Sequence, residues 1–197
     1  MSSLHTAGRG MYAGFVPGFV VISGSMFAGK SEELIRRLKR WKRTDLGVIT
    51  FKPVLDTRSE NITSRNGCSL EAIEVHASAQ MIEFVKETDK IIGVDEIHFF
   101  DPDLPKVLLE LVRMGKLVIA AGLSTDFNGE PFENTMRAMA LATEVTIEFA
   151  VCDICQSQYA VRSQLLVPSS SRILVGDKDE YSPRCIECFE PPSQTPT

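Results

Sequence analysis

Residues 24–31 read Gly24-Ser25-Met26-Phe27-Ala28-Gly29-Lys30-Ser31. The octet is a complete G-x-x-x-x-G-K-[ST] motif, and its setting is the one the motif requires. An apolar run, FVVIS at 19–23, precedes it and reads as a buried strand. After it, Leu34, Ile35, Leu38 and Trp41 recur at helical spacing across 31–43, with Arg and Lys on the other face. Glycines let such a strand-to-helix turn curl until successive backbone N–H groups point inward at an anion. The helix adds the positive end of its dipole. Lys30 then reaches the β- and γ-phosphates of a nucleotide, and the Ser31 hydroxyl can hold Mg²⁺.

The same alternation continues along the chain. Strands are expected at 48–51, 91–95, 117–121 and 144–151, and helices at 79–87, 104–114 and 135–142. Asp101-Pro102 suits the start of the third helix. The polar segment 56–67 ends in Asn66-Gly67 and reads as a loop or hairpin turn. Strands alternating with helices predict an α/β fold with a parallel sheet covered on both faces. Residues 1–16 read as a flexible leader, 17–151 as the nucleotide-binding domain, 152–189 as a cysteine-bearing lobe and 190–197 as a disordered tail.

A second polar feature closes the run IIGVDE at 91–96. Open α/β sheets bind ligands at the carboxyl ends of their strands. Asp95 is placed there to reach Mg²⁺ through a water, leaving Glu96 to accept a proton from an attacking hydroxyl.

Four of the five cysteines form two C-x-x-C pairs, Cys152/Cys155 and Cys185/Cys188. With no export signal or long apolar run, the chain is expected in the cytoplasm, where such pairs favour metal over disulfides. Four thiolates complete a tetrahedral Zn²⁺ shell. A zinc lobe raises the rival of a nucleic-acid reader. Against it, residues 152–188 hold five acids (Asp153, Asp177, Asp179, Glu180, Glu187) and four bases (Arg162, Arg172, Lys178, Arg184), and the net charge is -5. That lobe lacks a basic footprint, so neither nucleic acid nor a membrane is an expected partner. A second rival is a P-loop ATPase that drives a conformational change, which would need no apolar pocket for a base.

Several blocks in this order resemble the zinc-bearing thymidine kinase family of many bacteria and animal cells. They are GSMFAGKSEELIRRL at 24–38, FKPVLDTR at 51–58, VDEIHFF at 94–100, AGLSTDFNGEPF at 121–132 and YSPRCIEC at 181–188. The resemblance implies a RecA-like P-loop core, a zinc-anchored loop closing over the nucleoside, and a homotetramer. It implies transfer of the γ-phosphate of ATP to the 5′-hydroxyl of thymidine, with thymidine triphosphate as feedback inhibitor. By matching motif, Asp56 and Arg58 lie near the phosphates beside Lys30, Ser31 and Asp95, and Glu96 is the general base. Met26, Phe99, Leu123, Phe127, Phe132, Ser163 and Tyr181 surround the nucleoside.

The sequence departs from the family pattern at several positions. Ser124 replaces an acid, Gln156 a glycine, His98 a frequent glutamine, and Ser163-Gln164-Leu165 a TQR triplet. The threonine of that triplet lies by the thymine methyl in the family. Ser163 lacks its methyl group, which leaves deoxyuridine as a second candidate acceptor. His98 reads as a hydrogen-bonding site residue or surface imidazole rather than a catalytic group, and Cys68 as a buried or half-buried thiol.

Overall fold

The computed structural model describes residues 15–57, 59, 61–64, 66–168 and 176–191. Arg58, most of the expected leader and most of the expected tail lie outside them.

Six strands form one parallel sheet. β1 (Gly18–Gly24) lies between β7 (Leu117–Leu123) and β8 (Glu144–Glu148). Beyond β7 come β6 (Asp89–Val94), β2 (Gly47–Pro53) and the edge strand β5 (Ile73–Val75), giving the order β5-β2-β6-β7-β1-β8. Alternate side chains of each strand point to opposite faces, and here both faces are apolar because both are covered. Val20 and Ile22 pack with Leu34, Ile35 and Leu38 of helix α1 (Lys30–Trp41). Phe19 and Val21 pack the other way. Their partners are Met81 of α2 (Gln80–Phe84), Leu108 and Leu111 of α3 (Leu104–Arg113), and Ala138 of α4 (Glu133–Leu141). Burying Leu38 fully contributes about 2 kcal/mol, and truncating it to alanine costs about 2–5 kcal/mol because the space cannot collapse.

The expected strands and helices are present, most with ends shifted by one or two residues, and some differ more. α2 stops at Phe84 rather than 87, since Val85 turns extended with ψ 119. β8 ends at Glu148 rather than 151, and Ala150 instead bridges to Ala160 in the cysteine lobe. β5, three residues at a sheet edge, had no periodicity long enough to reveal it. The polar segment holds a hairpin, β3 (Ile62–Thr63) with β4 (Ser69–Leu70), whose turn uses Gly67 at φ +78. Cys68 in that turn region is exposed, not buried or half-buried as expected, because the hairpin buries Ile62 and Leu70 instead.

After β8 the chain builds a small lobe around an antiparallel ribbon, β9 (Arg162–Leu165) with β10 (Tyr181–Arg184). Ala150, Cys152, Ala160 and Cys185 pack against Ala28 of the glycine-rich loop, so the lobe rests directly on that loop.

Candidate active site

The loop after β1 needs glycine for two different reasons. A Cβ on Gly24 would sit 2.3 Å from the Glu148 carbonyl oxygen, so β8 could not approach. Gly29 has open space around it but takes φ +88, a left-handed value costly for other residues. Phe27 accepts the same region at φ +67. Such alternation aims backbone N–H groups into one concavity, and no side chain caps the first turn of α1. Lys30 is buried there, its Nζ donating to the Ser25 carbonyl at 2.7 Å. The result is a ready anion cradle.

The acidic pair follows β6, two strands from β1. Asp95 and Glu96 are both buried. The Asp95 carboxylate accepts the Glu96 N–H at 2.9 Å. That bond holds Glu96 at φ +51 and ψ +44, a strained conformation for a residue with a side chain. A single 3₁₀ turn, Ile97–Phe99, follows. Asn134 of α4 pins the segment from below, donating through Nδ2 to the Phe100 carbonyl at 2.7 Å and the Asp101 carbonyl at 3.1 Å. Nothing in the local sequence announces Asn134; only the packing of α4 brings it there.

A cavity of about 430 Å³ opens at this edge of the sheet, the size of a small-molecule site. Its polar lining includes Gly29, Lys30, Ser31 and Glu96. Its apolar lining includes Met26, Phe27, Phe99, Leu123, Phe127 and Phe132, with Ser163 and Tyr181 from the ribbon. Gly24, Ser25 and Ala28 build the loop without lining the cavity, and Asp95 stands behind Glu96. Asp56 also lies off the cavity, 3.4 Å from the buried Lys52 ammonium. Thr63, Ser64 and Asn66 of the hairpin region line it too. Their sequence had suggested only a turn. Asn66 is held over α1 by donating to the Glu32 carboxylate at 2.8 Å.

The ribbon is fastened to the loop by two bonds. The Met26 N–H donates to Ser163 Oγ at 3.0 Å, and Ser25 Oγ donates to the Ala160 carbonyl at 3.1 Å. Behind the ribbon, Cys152, Cys155, Cys185 and Cys188 bring their sulfurs within 4.8 Å of one another. Tetrahedral Zn–S bonds of about 2.3 Å place sulfurs about 3.8 Å apart, so the cluster fits zinc. Burial raises the Cys152 thiol, but the N–H groups of Cys155, Cys185 and Ile154 outweigh it and bring it to about 6. Sulfur contacts with Cys185 and Cys155 hold Cys188 up at about 12. Four thiols so close cannot all ionise unless a cation shares the charge.

A family model described as thymidine kinase matches residues 18–189. The chain belongs to the thymidine kinase family. Membership makes it a kinase of the transferase class, acting on thymidine as a family and using nucleoside and nucleotide substrates. Among solved structures, the flagellar accessory protein FlaH from Methanocaldococcus jannaschii aligns with 67 % of this chain and 71 % of its own, at 14 % identity and a TM-score of 0.46.

The departures from the thymidine kinase pattern can now be placed. Gln156 occupies φ +61, where the glycine of the pattern would be unstrained, and closes the first cysteine knuckle by donating its N–H to the Cys152 carbonyl at 2.9 Å. Ser124 needs no acid to hold its loop. Its N–H donates to the Gly24 carbonyl at 3.2 Å, and its carbonyl accepts the Phe132 N–H at 3.1 Å. Among the described residues, no helix is long and apolar enough to cross a membrane.

Proposed function

We propose that this thymidine kinase transfers the γ-phosphate of ATP to the 5′-hydroxyl of thymidine, with deoxyuridine as a secondary acceptor. One observation carries the proposal: an anion cradle, a buried carboxylate and a ring-lined pocket share one cavity. Lys30 and the loop N–H groups neutralise charge on the moving phosphoryl group. Ser31 and, through a water, Asp95 would hold the Mg²⁺ that accompanies ATP and shields its phosphates. Glu96 accepts the proton of the 5′-hydroxyl, which is too tightly held for attack at neutral pH. Phe99 and Phe127 flank the base, with Met26, Leu123, Phe132, Ser163 and Tyr181 completing the nucleoside pocket. Arg58, one residue past Thr57, serves the phosphates, while Asp56 acts from outside the cavity, where it pairs with Lys52.

Zn²⁺ in the four-cysteine site anchors the ribbon that covers the nucleoside. Thymidine triphosphate inhibits by lying with its base in the nucleoside pocket and its phosphates on the cradle. The enzyme works in the cytoplasm as a homotetramer. The exposed row of Val145 and Ile147 on the edge strand β8, continued by Phe149 just after it, supports assembly. ADP release measured with thymidine, deoxyuridine and deoxycytidine in turn tests the assignment. Release should be fastest with thymidine, slower with deoxyuridine and near background with deoxycytidine. Release at one rate with or without nucleoside would overturn it.

A further inference from the structure

His98 stands where the family pattern has a frequent glutamine, and its surroundings define what it does. The side chain is fully buried. Its ring packs on Phe99 at 4.0 Å and on Phe132 at 4.7 Å between centroids, so its plane is held by two cavity-lining rings. Nδ1 accepts the Leu123 N–H at 3.2 Å. A ring nitrogen that accepts a backbone N–H carries a lone pair, so the proton of the neutral imidazole sits on Nε2. Nε2 lies 3.4 Å from Glu96 Oε2. The two atoms are within ion-pair range but not aligned as a hydrogen bond, so a small turn of the Glu96 carboxylate is needed to complete one.

We propose that His98 is a positioning residue. Its Nδ1 is anchored by Leu123 at the end of β7, and its Nε2–H aims the Glu96 carboxylate into the cavity. The proposal rests on Glu96 being the general base. It also accounts for the exchange with glutamine. A glutamine has an amide oxygen to accept the Leu123 N–H and an amide N–H to meet Glu96, the same two functions on one side chain. A phenylalanine would keep the ring packing and lose both. The left-handed backbone of Glu96 makes such a guide useful, since the residue is held by its neighbours rather than by a regular element.

A double-mutant cycle separates this role from simple packing. Steady-state kcat, KM for thymidine and ATP affinity are measured for His98→Gln, His98→Phe, Glu96→Gln and Glu96→Gln/His98→Phe, with thermal melting of each. His98→Gln should keep turnover within about threefold. His98→Phe should lower kcat about tenfold or more, with ATP affinity within about threefold, because a misaimed base costs chemistry rather than binding. Glu96→Gln should lower kcat by roughly 10²–10⁴-fold. Adding His98→Phe to it should then change kcat less than twofold. Equal losses from His98→Phe in both backgrounds, or no loss in the parent, would overturn the positioning role while leaving Glu96 as base. Parent-like turnover of Glu96→Gln would instead remove the base assignment and this proposal with it. Should His98→Phe fail to fold, His98→Asn, too short to span Leu123 and Glu96, takes its place with the same expected losses.

Discussion

At the scale of single residues, Ser163 offers the sharpest test of the proposed nucleoside pocket, whose wall it lines. Its Oγ is committed to the Met26 N–H at 3.0 Å, which fixes the rotamer of a small side chain on the cavity wall. Threonine can make the same bond and adds one methyl group. A buried methyl-sized group is worth about 0.8 kcal/mol, close to a fourfold factor. Ser163→Thr should therefore raise the thymidine-over-deoxyuridine ratio of kcat/KM by about threefold, measured by competing the two nucleosides. An unchanged ratio would mean that Ser163 does not meet the thymine methyl. The octet at 24–31 was fully legible as a phosphate loop because backbone geometry there demands named residue types. Asn134 and the hairpin residues Thr63 and Asn66 were not legible, since only tertiary packing brings them to the cavity.

At the scale of elements, α1 couples the loop to the sheet edge through charge. Glu33 in its first turn meets the Arg36 guanidinium at 2.5 Å and Arg37 at 2.7 Å, and Arg37 continues to Glu144 of β8 at 2.6 Å. The hydrogen bond from Arg36, aided by Arg37 against the cost of burial, holds the Glu33 carboxyl down near 2 from an ordinary 4.5. A carboxyl depressed by folding stabilises the fold above its unfolded pKa and loses that contribution as pH falls toward its folded value. The Glu33 contribution should thus be complete above pH 4.5 and vanish between 4.5 and 2. Because Arg36 is solvent-exposed, screening limits it to on the order of 1 kcal/mol. Glu33→Gln should lower stability at pH 7 by that amount and match the parent near pH 2, in urea melts at both pH values. An equal deficit at both would mean that packing, not charge, is involved. Strands and helices in this region were legible from periodicity, but their ends were not. The early stop of α2 and the exit of β8 toward Ala160 are set by the partner each segment meets, which spacing does not encode.

At the scale of the whole molecule, two bodies of very different construction share one cavity. The sheet supplies the loop and the acids; the cysteine lobe supplies Ser163 and Tyr181. Order in the lobe has few buried apolar residues to draw on, so the four-sulfur site must hold it. The purified enzyme should contain one zinc per subunit. Stripping it with a strong chelator should lower Tm and raise KM for thymidine severalfold more than KM for ATP, because the proposed nucleoside pocket takes Ser163 and Tyr181 of its wall from the lobe. Active enzyme essentially free of metal would contradict this. The α/β class, the cysteine site and the family were all legible in the sequence. The strand order was not: β7 lies between the phosphate-loop strand and the acid strand, and parallel neighbours far apart in sequence leave no pattern in either segment. The central claim is that both ends of this cavity serve one transfer reaction, and the fate of labelled phosphate tests it most directly. With γ-labelled ATP and thymidine, the label should appear in thymidine 5′-monophosphate in equal amount to the ADP formed, and Lys30→Ala should abolish the transfer while keeping a folded chain. Label recovered as inorganic phosphate, or transfer undiminished in Lys30→Ala, would contradict the account.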